Sequence, residues 1–206
     1  MVRKPRLALR SVDRLLLAYV GFVTGVILLR GSILESGTVW LLIMHALFAA
    51  LLFLCAGPGR DHPFARLVHD FYPLIMLLPF YSAFGVLNTQ VGWGPVLAND
   101  RVVQAWEAWL FGGQVSYDWI RRYPSAFWSA ILHLAYFAYY AVIVLGPVLL
   151  VARRRQAGAR QVLFAMMVAF VICYVTFLAY PVGGPYFAFP HPEGEVREVW
   201  SARLVY

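Results

Sequence analysis

Charge is scarce in this chain: Asp, Glu, Lys and Arg make up 13% of 206 residues, against 62% that are hydrophobic. An ordinary soluble domain carries about 25% charged residues, so that class is excluded. The mean hydropathy of +0.69 points the same way. Cysteine is scarcer still. Cys55 and Cys173 both lie in apolar runs, which argues against a disulfide or a metal site. No internal repeat, low-complexity tract or Gly/Ser linker breaks the chain. It reads as a single integral membrane domain over 1–206, with no metal and no cofactor expected.

What is present is apolar sequence in spanning lengths. The expected fold is all-α, a polytopic transmembrane helical bundle with about five spans, near 15–31, 39–56, 71–90, 127–151 and 161–180. The basic start followed by Leu15 to Leu29 also fits a signal peptide. No clean small-residue cleavage site follows, so a retained first helix is preferred. Residues 95–123 are too polar to span and are expected as an interfacial segment. In it Val102, Val103, Trp106, Trp109 and Leu110 recur at helical intervals behind a cap at Asn99 or Asp100, and Gly112-Gly113 ends the helix. Ser125 is placed to cap the next helix.

The net charge of +7 invites a nucleic-acid reading, but its distribution does not support one. With the N-terminus inside, eleven of the 17 Lys and Arg fall on inner segments and six on outer ones. That is the positive-inside pattern. It predicts a cytoplasmic N-terminus, residence in a bacterial inner membrane, and a tail, 181–206, on the outer face.

Polar residues within the apolar runs are the functional candidates. His45 reads as a packed polar residue. Arg60 to Asp70 reads as a short loop whose His62 and His69 match no metal-ligand spacing. Pro73 and Pro79 fall inside the third span, which is tolerable where neighbours satisfy the freed carbonyls. Ser129, His133, Tyr136 and Tyr140 recur at intervals of four, three and four, so they share one helix face. That stripe serves either interhelical hydrogen bonding or a substrate cavity. Finally, Tyr180-Pro181-Val182-Gly183-Gly184-Pro185 must end a helix and release backbone N–H groups, including that of Tyr186. Such a nest either merely terminates the helix or holds an anion.

Order and spacing together carry a resemblance. Asp100, Trp106-Glu107, Leu110-Phe111-Gly112-Gly113-Gln114-x-Ser116, His133-Leu-Ala-Tyr136-Phe-x-Tyr139-Tyr140 and Tyr180-Pro181-Val182-Gly183-Gly184-Pro185 follow one another. This resembles the N-terminal half of the inositol phosphorylceramide synthase-like (inositolphosphotransferase) branch of the phosphatidic acid phosphatase type 2 superfamily. The resemblance implies phosphoryl or head-group transfer on lipid phosphates at the outer face. It uses a nucleophilic histidine, a second histidine oriented by an aspartate, and no metal. The expected substrate-binding residues are Asp100, Glu107, His133, Tyr136, Tyr140, Tyr180, Gly183, Gly184 and Tyr186, the last standing where related sequences often place an arginine. The family's Pro-Ser-x-His and Arg-x5-His-x3-Asp stretches do not occur, and Ala188-Phe189-Pro190-His191 echoes the first only superficially. Arg197 and Arg203 are candidate phosphate ligands or solvated tail charges.

Partners are therefore expected to be membrane lipids and a lipid phosphate, not nucleic acid. The alternative is a non-catalytic lipid-binding or partner-binding protein on the same half-fold; a small transporter is disfavoured because histidine alone is ionisable deep in a span. On the enzyme reading, further helices carry the histidines. The native protein then exceeds 23.3 kDa by roughly 8–15 kDa, the size of a few membrane helices with their loops. An intact-mass measurement on protein from its own membrane checks this, and a native mass of 23.3 kDa favours the non-catalytic alternative.

Overall fold

A computed structural model describes residues 9–30, 36–56, 62–89, 92–190 and Trp200. Among these residues eight helices follow in order: α1 Ser11–Arg30, α2 Ser36–Ala56, α3 Pro63–Thr89, α4 Trp93–Phe111, α5 Val115–Arg122, α6 Ala126–Ala152, α7 Gln156–Ala179 and α8 Pro185–Ala188. Among the described residues there is no strand, and the chain is an all-α membrane bundle. Among the described residues four helices, α1, α3, α6 and α7, are long and apolar enough to cross a membrane, and α2 adds a shorter apolar stretch, Gly37–Phe53. This is an integral membrane protein.

The chain divides into two compact units, Met1–Gln90 with Leu150–Ala179, and Val91–Leu149 with Tyr180–Tyr206. In the first, α1 packs on α2 and α7, and α3 packs on the same two helices, so the four close into a ring. The sequence cause is one apolar stripe per helix. Leu16, Tyr19, Val23 and Ile27 are buried on α1, Leu41, Phe48 and Leu52 on α2, Tyr72, Met76, Phe80, Ala83 and Leu87 on α3, and Met167, Tyr174 and Leu178 on α7. Aromatic rings fill the centre. Tyr19 meets Phe80 edge-on at 4.9 Å, Phe48 meets Phe80 and Tyr72 at 5.9 Å, and Tyr174 lies 6.2 Å from Tyr19.

The polar interruptions are satisfied in pairs. Pro73 has no N–H, so the carbonyl four residues earlier, His69, loses its helical donor. The Arg10 guanidinium donates to that carbonyl from the start of α1. Pro181 likewise frees the Phe177 carbonyl at the end of α7, and Asn88 Nδ2 donates to it at 3.1 Å. Asp13, fully buried in the first turn of α1, accepts the Arg10 backbone N–H at 2.7 Å, the reach-back of a capping box. It also accepts the Tyr72 hydroxyl at 2.6 Å.

Several boundaries differ from the sequence expectation. The region read as a loop to Asp70 is helical from Pro63, because His69 and Asp70 find partners on other segments and need not sit outside the helix. Asn99 and Asp100 are not caps. α4 begins at Trp93 after Gly92, whose φ of 81° few other residues adopt, and Pro95 in its first turn forfeits no helical hydrogen bond. The tail contains the one-turn α8, started by Pro185 at its first position. Gly112 ends α4 as expected, left-handed at φ 75° with its N–H on the Ala108 carbonyl. Ser125 Oγ lies 3.5 Å from the Trp128 N–H at the start of α6.

The Asn88 bond yields a prediction. Asn88→Ala costs about 1 kcal/mol, the ordinary net worth of such a bond. In a Pro181→Ala background, where the new N–H can reach Phe177, the cost falls close to zero. Unfolding in detergent across the double-mutant cycle checks this, and an equal loss in both backgrounds contradicts it.

Candidate functional site: a carboxylate clasp on a glycine turn

In the second unit, α4 is amphipathic in the inverted sense. Its apolar residues face out, with Trp106, Trp109, Leu110 and Phe111 each more than half exposed. Its other side carries Val96, Asn99, Asp100, Gln104 and Glu107 at three- and four-residue intervals, all buried or half-buried. A helix arranged this way suits an apolar surround, with its polar side turned to protein.

Asp100 is the centre of that polar side, only 4% exposed. The Gly183 N–H donates to its Oδ1 at 3.1 Å and its Oδ2 at 3.2 Å, and the Gly184 N–H donates to Oδ1 at 3.1 Å. Next to it, Asn99 Nδ2 donates to the Pro181 carbonyl at 2.9 Å, and the Tyr180 hydroxyl reaches the Asn99 carbonyl at 3.5 Å. Both glycines have a physical reason. Gly184 has φ 80° and ψ 178°, a region essentially closed to other residues. A Cβ on Gly183 would come within 3.1 Å of the Asp100 carboxylate and 3.5 Å of Val96.

The sequence predicts released donors at this turn, and two of them are not free: Gly183 and Gly184 already hold an anion, the chain's own Asp100. A carboxylate lacking lysine or arginine could be expected to seek N–H donors, but the partner lies more than 80 residues along the chain, beyond reach of spacing arguments.

The remaining candidates are distributed. Glu107 is half-buried two turns beyond Asp100 on the same side of α4. His133, Tyr136 and Tyr140 form a ladder along α6: His133 Nδ1 donates to the Ser129 carbonyl at 2.8 Å, and the Tyr136 and Tyr140 hydroxyls lie 3.2 Å apart. Tyr136 and Tyr140 are each about half exposed, at 54% and 52%. The Tyr186 side chain, Arg197 and Arg203 lie outside the described residues. Arg121 is occupied structurally, stacked 3.7 Å over the Tyr117 ring and donating to the Tyr117 and Pro190 carbonyls.

Sequence reasoning missed a second polar cluster, in the first unit. Asp70 accepts Arg10 at 2.6 Å and a two-pronged contact from Arg160 at 2.9 and 3.2 Å. His69 Nε2 lies 3.2 Å from Asp13. The available signal was Asp13 itself, a carboxylate in the first turn of an apolar helix, which needs donors. Among the described residues, no group of three or more His, Cys, Asp or Glu is placed to hold a metal ion. Comparison with protein families, with curated proteins and with solved structures finds no match to this chain.

The clasp has a measurable worth. Asp100→Ala strips two part-buried N–H groups of their acceptor and lowers stability by about 1.5–3 kcal/mol, the range for bonds to a charged group. Asp100→Asn, which keeps an acceptor oxygen, loses less. Gly184→Ala costs about 1–3 kcal/mol through backbone strain alone. Thermal unfolding in detergent reads all three; an unchanged Asp100→Ala protein contradicts the clasp.

Proposed function

We propose that this chain handles lipid phosphate head groups at the membrane surface, as a scaffold of the phosphatidic acid phosphatase type 2 kind that supplies no catalytic histidine of its own. In this reading the N-terminus is cytoplasmic, residues 181–206 lie on the outer face, and the membrane is a bacterial inner membrane. The observation that carries the reading is the inverted α4, which exposes Trp106 and Trp109 while Asp100 on its other side holds the Gly183–Gly184 turn. Exposed tryptophans favour the head-group level of a bilayer, and a rigid turn beside them gives the head group a fixed neighbour.

Lipid binding without turnover is the second reading, and a specific observation favours it. The two glycine N–H groups best suited to a phosphate oxygen are engaged by Asp100. The five histidines, His45, His62, His69, His133 and His191, also fit neither histidine motif of the superfamily. Both readings share one expectation, that the chain recognises a lipid phosphate and releases none.

The test places the 206-residue chain in nanodiscs and follows phosphatidic acid against phosphatidylcholine. Preferential retention of phosphatidic acid with no release of inorganic phosphate is expected. His133→Ala and Tyr136→Phe are expected to weaken that retention several-fold without unfolding the protein. Phosphate release by the chain alone overturns the scaffold reading, and equal retention of the two lipids overturns both.

A further inference from the structure

The first unit carries a second feature that the reading above does not use. At the starts of α1, α3 and α7 lie two clefts, both lined by Asp70 and Arg160. One, about 240 Å³, is bordered by Arg10, Arg160 and Gln161 with Phe164 as an apolar wall. The other, about 190 Å³, is bordered by Arg66, Arg160 and Gln156 with Leu67 and Phe71. Both are smaller than the roughly 300–1,000 Å³ that encloses a whole drug-sized ligand. They fit a charged fragment whose remainder lies outside.

The charge balance is positive. Arg10, Arg66 and Arg160 line the clefts against Asp70, and Asp13 pairs with Arg10, so one positive charge is left over. Asp70 already serves two guanidiniums at once. Arg160 keeps 47% of its side chain exposed despite that pairing, and Arg66 is exposed. Arg10 holds its Nε buried without a partner among the described residues. The first turn of α7, at Gln156, adds the positive end of a helix dipole to the second cleft. Next to these donors, Phe64 and Leu67 on α3 are exposed at 68% and 50%, and Phe164 on α7 at 38%.

We propose that the paired clefts seat the phosphate of an anionic phospholipid, with its acyl chains along the exposed apolar surfaces of α3 and α7. Basic pockets between spanning helices are suited to such head groups, and guanidinium forks match phosphate geometry. The site is independent of the Asp100 clasp and of the lipid-phosphate scaffold reading.

Native mass spectrometry of the full chain in detergent, titrated with phosphatidylglycerol and with phosphatidylcholine, tests it. Phosphatidylglycerol is expected to be retained in preference. Each arginine removed should weaken it roughly five-fold, so the Arg66→Gln/Arg160→Gln pair loses roughly twenty-fold or more. Should the pair unfold, Arg66→Gln alone, at an exposed position, still reads a roughly five-fold loss. Arg153→Gln/Arg155→Gln, exposed and outside both clefts, should leave binding within about two-fold. An equal loss in that control pair reduces the effect to general surface charge and overturns the site. Millimolar inorganic phosphate should compete only weakly; inorganic phosphate binding without phosphatidylglycerol preference also overturns it.

Discussion

In an apolar surround, a backbone or side-chain polar group without a partner costs several kcal/mol, and the shape of this chain follows from meeting that demand. Its prolines make the demand acute, because each one inside or just after a helix strips a donor from the carbonyl four residues back. Two such carbonyls have side-chain donors. Arg10 serves His69 behind Pro73, and Asn88 serves Phe177 behind Pro181. The same rule operates in reverse at Asp100 and Asp13, acceptors that collect N–H and O–H donors from distant segments. Packing of the apolar stripes brings helices together; these polar pairs determine which turn lies opposite which.

For function, the consequence is at the Pro181 turn. A run of released N–H groups is an anion site in principle, and here the anion is built in. Asp100 spends its charge on Gly183 and Gly184, which makes the turn a rigid part of the surface beside α4. In the proposed lipid-binding role, what meets a head group is the turn together with the outward tryptophans, the glycine amides being already engaged. The Arg10–Asp70–Arg160 cluster has the opposite balance, since its cations outnumber its carboxylates and its clefts remain lined by donors.

The sequence makes the helices legible because each apolar run is long and interrupted by strong breakers. Gly112 and Ser125 mark their boundaries through local backbone chemistry alone, and both are where spacing places them. Asp100 shows the limit. An aspartate ahead of an amphipathic run reads as a cap, yet Gly92 and Pro95 start the helix almost two turns earlier and leave Asp100 inside it. Its real partners are 83 and 84 residues away. His69 and Asp70 read as loop for the same reason, because their partners Arg10, Asp13 and Arg160 are not visible in local pattern. The stripe on α6 was legible as a shared face, and its hydrogen bonds run along that face from one turn to the next.

The most direct test of the central claim is hydrogen exchange at the Gly183 and Gly184 amides, read by NMR in detergent micelles. Both amides donate to one buried carboxylate, so both should exchange slowly in the wild-type chain and become fast together in Asp100→Ala. Fast exchange at either glycine in the wild type, or protection that survives Asp100→Ala, would contradict the account.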